Sequence, residues 1–99
     1  MYEVVFLPKA EKELKKIKDK NLKEKFRQAI IKISENPYIG EPKKGDLSGI
    51  FGYDVFYNKT NYEISYKIYE LENKRVVVIL IGTRENFYKE LKKYIKDVL

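Results

Sequence analysis

The chain has 99 residues, 43% hydrophobic and 36% charged, enough for one modest core and too polar for a membrane protein. Its longest apolar run, Val76 to Ile81, falls far short of the roughly 18 to 20 residues of a spanning helix. Cysteine and histidine are both absent, which excludes disulfides, thiolate zinc sites and every histidine-based catalytic triad.

No repeat or Pro/Gly/Ser linker divides the sequence, so one domain over residues 1–99 is expected. Tyr2 to Leu7 is a β-branched and aromatic run that reads as a first strand. Pro8 suits the first turn of a helix. Ala10, Leu14 and Ile17, then Leu22, Phe26, Ala29, Ile30 and Ile33, recur at helical spacing on either side of a break at Asp19 to Asn21. The spacing predicts a helical hairpin, Lys9–Lys18 and Leu22–Glu35, ended by Asn36-Pro37. Gly40, Pro42 and Gly45 make Tyr38 to Gly49 a loop.

Three strands follow. Ile50–Tyr57 alternates loosely, and Asn58-Lys59-Thr60 turns the chain. Asn61–Tyr69 alternates cleanly, with Tyr62, Ile64, Tyr66 and Ile68 on one face and Glu63, Ser65 and Lys67 on the other. After a turn at Glu70 to Lys74, Arg75–Ile81 is apolar throughout, as in a strand covered on both faces. Gly82-Thr83 then switches to a last helix, with Thr83 as N-cap and Phe87, Leu91, Tyr94, Ile95 and Val98 as its buried stripe. The order β-α-α-β-β-β-α predicts an α+β fold, a small, mainly antiparallel sheet packed by a helical hairpin and a C-terminal helix.

The net charge is +6, and nine tyrosines and five phenylalanines accompany it, a composition that suits a polyanionic partner or simple solubility. The Thr83–Tyr88 junction combines a helix start with Arg84, whose guanidinium grips a phosphate through two hydrogen bonds, and with Tyr88 four residues on. The same pattern suits a capped helix with a packing tyrosine. Ten basic and four acidic residues between Lys9 and Lys32 form a basic hairpin that attracts phosphates or is merely solvated. Lys43, Lys44 and Lys59 are loop and turn cations for an RNA backbone or for solubility. Tyr53, Tyr57 and Tyr69 are candidates for stacking on bases. No metal ligand set and no cofactor motif is present. No basic-then-apolar leader is visible at the amino terminus, so a cytoplasmic location is expected.

In order along the chain, Tyr2–Phe6, Pro8–Leu14, Asn36-Pro37 with Gly40, Gly45–Gly49, Tyr62–Tyr66 and Ile81–Tyr88 resemble the RelE/ParE superfamily of toxins from toxin–antitoxin pairs. The resemblance, with its RelE-like side favoured, implies a ribosome-dependent mRNA endoribonuclease that blocks translation, with the RNA 2′-OH attacking the adjacent phosphorus. It implies Arg84 as charge stabiliser, Tyr88 in stacking or proton transfer, Lys43, Lys44 and Lys59 on the RNA backbone, and Tyr57 in base stacking. The implied partners are a small acidic antitoxin, the ribosome and mRNA, with no membrane, the toxin being monomeric or in a hetero-oligomer with its antitoxin. The sequence departs from the family where Asp54 and Glu63 stand in place of arginines, which leaves three readings open: a mechanism with Asp54 or Glu63 as base, a shifted target, or an enzyme of little activity. Two other functions fit the residues: a ParE-like inhibitor of DNA gyrase, and a non-catalytic RNA- or ribosome-binding module.

Overall fold

Pro8 opens the first helix of the computed structural model, which describes residues 1–98. Strand β1 (Glu3–Phe6) leads directly into α1 (Pro8–Lys16), where the fixed φ of proline suits the first turn. Asp19 then caps α2 (Lys20–Glu35), its carboxylate accepting the N–H of Asn21 at 2.9 Å and of Leu22 at 3.2 Å. The break between the helices therefore sits nearer the amino terminus than the apolar spacing suggests. Asn36 ends α2 in extended conformation before Pro37, as a pre-proline residue must.

The segment read as a plain loop holds more structure. Two short 3-10 turns, Pro37–Ile39 and Gly45–Leu47, flank a two-residue strand β2 (Glu41–Pro42) that pairs antiparallel with β3 (Ile50–Tyr57). The β3 strand turns at Asn58-Lys59, both at positive φ, into β4 (Thr60–Tyr69). An antiparallel ladder joins β4 to β5 (Arg75–Thr83), and β1 closes the far edge parallel to β5, giving the order β1-β5-β4-β3-β2. The α+β architecture predicted from the sequence is the one observed.

Both faces of the sheet are covered. On one, Ala10, Leu22, Phe26, Ala29 and Ile33 of the hairpin pack on Val55, Ile64, Tyr66, Val76, Val78 and Ile81. On the other, Phe87 and Leu91 of α3 (Phe87–Val98) pack on Ile50, Ile79, Leu80 and Leu47. Ser65 pairs with Leu80 and Tyr66 with Val78, so β5 carries one extra residue. That bulge puts consecutive Ile79 and Leu80 into the same core and removes simple alternation.

Two expectations are corrected. Thr83 is not a helix cap, because the β4–β5 ladder holds it in register with Tyr62 and α3 begins only at Phe87, after Asn86 at φ 60°. Val98 is exposed rather than part of the buried stripe, since the second core contains no α3 residue beyond Ile95. The Glu63/Ser65 face of β4 is covered by α3 and the Gly45–Leu47 turn, and both residues are buried.

The Asp19 carboxylate is held below its usual range by the Leu22 N–H, against some desolvation, with Tyr57 and Asn21 adding to the effect. A depressed folded pKa brings stability that is complete above the ordinary value of about 4 and is lost as pH falls through the folded one. Asp19→Ala should therefore melt below wild type at pH 7, and the two melting curves should converge near pH 2.

Candidate functional site

Strand pairing builds the site. Asp54 of β3 lies opposite Glu63 of β4, and Glu63 lies opposite Gly82 of β5, so one row crosses the three strands. Arg84 follows two residues after Gly82, its N–H donating to the Asn61 carbonyl at 3.0 Å. Phe51, Tyr53, Val55 and Tyr57 of β3 face the hairpin core. By alternation, Gly52, Asp54 and Phe56 face the other way, toward α3 and Arg84.

Glu63 is the centre, and its side chain is only 1% exposed. The Tyr88 hydroxyl lies 2.9 Å from each of its oxygens and donates its proton to the carboxylate. Lys43 Nζ donates to the Tyr88 oxygen at 2.7 Å and stands 3.3 Å from Glu63 Oε2. Arg84 Nε is 3.5 Å from Glu63 Oε1, and Arg84 Nη2 donates to the Tyr88 oxygen at 3.4 Å. The second branch of the guanidinium reaches out to Asp54 Oδ2 at 3.5 Å. A buried carboxylate is thus met by one phenol and two cations, the compensation that a desolvated charge requires.

Two local features allow this packing. At Gly52 a Cβ would collide with the Glu63 carboxylate and with the Lys43 stem, so the glycine makes the space both occupy. The β2–β3 pairing continues through Lys43, whose N–H donates to the Ile50 carbonyl at 2.8 Å, and this fixes the lysine's backbone beside the row. Burial alone would lower the Lys43 ammonium. The hydrogen bond to Tyr88 and the charge of Glu63 outweigh it, and the net shift is upward. Lys43 is thereby held charged and is unsuited to act as a base. The Arg84 guanidinium is also raised, by Tyr88 first, against desolvation, with Asp54 and Glu63 adding.

Arg84, Tyr88, Glu63, Asp54 and Lys43 therefore come together, although Arg84 precedes α3 and meets Tyr88 without sharing a helix face. Lys44 and Lys59 are exposed, the first at the Gly45 turn and the second at the tip of the β3–β4 hairpin. Neither touches the cluster among the described residues. Tyr57 lies on the opposite face of the sheet, where its hydroxyl donates to Asp19 at 3.0 Å, so the structure separates it from the site. Gly52 is the member that reading by residue type missed, and strict alternation from Asp54 along β3 was the signal for it. Among the described residues no three carboxylates group as a metal-ligand set.

A family model, the ParE-like toxin of type II bacterial toxin–antitoxin systems, matches residues 4–92. A free-state double arginine-to-alanine mutant of E. coli toxin RelE superposes with a TM-score of 0.73 at 21% identity, over 99% of this chain and 98% of that one. RelE-containing complexes are similar as well. The intact E. coli RelBE toxin–antitoxin complex gives a TM-score of 0.68 at 22% identity, over 83% of this chain and 95% of the other. The RelBE2 toxin–antitoxin complex of Mycobacterium tuberculosis gives 0.65 at 27% identity, over 84% and 98%. No curated protein sequence matches the chain.

Removing Lys43 leaves Glu63 buried with only Tyr88 and Arg84 to compensate it. Lys43→Met should cost on the order of 3 kcal/mol in urea unfolding. Lys44→Ala, at an exposed position, should stay within about 0.5 kcal/mol of wild type.

Proposed function

The chain belongs to the ParE-like toxins of type II bacterial toxin–antitoxin systems, and from that premise we propose that it is an endoribonuclease acting on mRNA in the ribosome. The observation that carries this reading is the solvent-facing Arg84–Asp54 pair above Tyr88, the one part of the cluster an RNA phosphate reaches without unpacking the fold. Asp54 takes the proton of the RNA 2′-OH. The 2′ oxygen attacks phosphorus, the bond to the 5′ oxygen breaks, and that oxygen leaves with a proton from water. The products are a 2′,3′-cyclic phosphate and a 5′-hydroxyl end. Arg84 exchanges part of its contact with Asp54 for the phosphate and stabilises the charge that builds there. Because the nucleophile belongs to the substrate, positioning and charge account for much of the acceleration.

Within this reading Glu63 is too buried to meet substrate and acts through Tyr88, holding the phenol in place. Lys44 and Lys59 are the free cations for the RNA backbone, and a cytoplasmic location follows from the ribosomal target. A second reading, a ParE-like inhibitor of DNA gyrase, is favoured by one observation: Asp54 and Glu63 already neutralise Arg84 and Lys43, which weakens the pull on phosphate. Incubation with translating ribosomes, mapping mRNA 5′ ends beside a gyrase supercoiling assay, separates the two. Arg84→Ala and Asp54→Asn should each lower cleavage on the order of 100-fold. Gyrase inhibition without new mRNA ends would overturn the ribonuclease.

The partner in this reading is a small acidic antitoxin. The RelBE relatives are toxin–antitoxin complexes. Here a groove of about 540 Å³ between β1 and the hairpin is lined by Phe6, Leu14, Ile30 and Ile31, with Lys15, Lys23 and the Glu24–Arg27 ion pair at its rim. An amphipathic helix with an acidic face suits that surface. Lys23→Glu combined with Arg27→Glu should weaken antitoxin binding at low salt in a titration, and high salt should narrow the difference.

A further inference from the structure

Beside the Asp54–Glu63–Gly82 row runs a second row on the same face. Phe56 of β3 lies opposite Asn61 of β4, and the Asn61 carbonyl receives the Arg84 N–H, so the order is Phe56, Asn61, Arg84. Phe56 follows Asp54 by two residues, roughly 7 Å along the strand. The residue is 63% exposed. The second core, built on Ile50, Ile79, Leu80, Phe87 and Leu91, does not include it. The neighbouring Asn61 side-chain oxygen is buried and makes no hydrogen bond.

A single exposed phenylalanine is ordinary on a protein surface. Placement distinguishes this one. A flat apolar ring and a guanidinium share one row across the strands, next to the exposed Asp54. Single-stranded nucleic acid offers the matching set, an unstacked base beside a phosphate. Tyr57, the aromatic next in sequence, is unavailable because it faces the hairpin and binds Asp19.

We propose that Phe56, flanked by Asn61, is a stacking platform for the unpaired nucleobase adjoining the phosphate held at Arg84. This assigns a base-binding subsite to the ribonuclease reading and rests on it. The phosphate gives the substrate its charge contact with Arg84, and the ring sets the plane of the neighbouring base. The ring contributes through its π-face, so it is tolerant of base identity and sensitive to loss of aromaticity.

The chain contains no tryptophan, so Phe56→Trp places a lone fluorescent indole at the platform. A short oligoribonucleotide with one 2′-deoxy residue at the cleavage position should quench that indole saturably. Inorganic polyphosphate of equal charge should leave it unquenched. In the ribosome assay Phe56→Ala should lose about 5- to 100-fold in cleavage, and Phe56→Trp should retain it. Far-UV circular dichroism should be unchanged in both, since the side chain is outside either core. Equal quenching by the two polyanions, or by neither, overturns the platform. If wild type cleaves mRNA and Phe56→Ala cleaves as well, the subsite falls and the ribonuclease stands. If RNA alone quenches the indole and no mRNA is cut, base binding stands and the ribonuclease falls.

Discussion

One buried carboxylate organises this molecule. Glu63 sits in the middle strand of the sheet, beneath α3, where an unpaired charge would be costly. Its partners come from three separate parts of the chain: Lys43 from the end of β2, Arg84 from the turn after β5, and Tyr88 from the first turn of α3. Each is anchored by its bond to the carboxylate as well as by its own backbone. The same charge that would destabilise an apolar core therefore fixes the relative position of a loop, a turn and a helix. Gly52 is part of this device although it contributes no side chain, because any other residue would push the carboxylate aside.

The arrangement divides the site into a buried and an exposed half. Lys43 has 12% of its side chain exposed and spends its charge internally, while Arg84 and Asp54 remain at the surface. The result is a rigid, nearly neutral base carrying one accessible ion pair. Such a site offers little long-range attraction for a polyanion and depends on contacts made at close quarters. The overall charge of +6 lies elsewhere, much of it on the helical hairpin that forms the opposite layer.

Most of the fold was legible in the sequence because it follows from periodicity. The stripe Leu22, Phe26, Ala29, Ile33 and the unbroken apolar run of β5 each admit one placement once both faces of the sheet are covered. The site was legible only in its residue types. Glu63 alternates with Ile64 as a solvent-facing residue would, and nothing local in the sequence tells that α3 returns to bury it. The approach of Arg84 to Tyr88 was expected from helical spacing, yet it arises from a turn at Asn86. Tyrosine number misled in the same way. Of nine tyrosines, Tyr2, Tyr38, Tyr57, Tyr66 and Tyr88 give their hydroxyls to partners within the fold. Tyr66 is the extreme case, buried against Gly40 with its hydroxyl on the Pro37 carbonyl and its pKa pushed by desolvation to about 12.

The parallel pairing of β1 with β5 ties Glu3–Phe6 to Arg75–Val78 across nearly the whole chain. Loop closure over such a span is slow compared with forming the β3–β4–β5 meander, whose neighbours are joined by tight turns. The amino-terminal strand, made first, is therefore among the last parts to find its place in the sheet. Until β5 has left the ribosome, β1 has no partner and the edge it will close stays open. The cluster around Glu63 waits longer still, for Tyr88. A chain interrupted between Thr83 and Tyr88 carries the meander without the phenol that holds the Glu63 carboxylate in place.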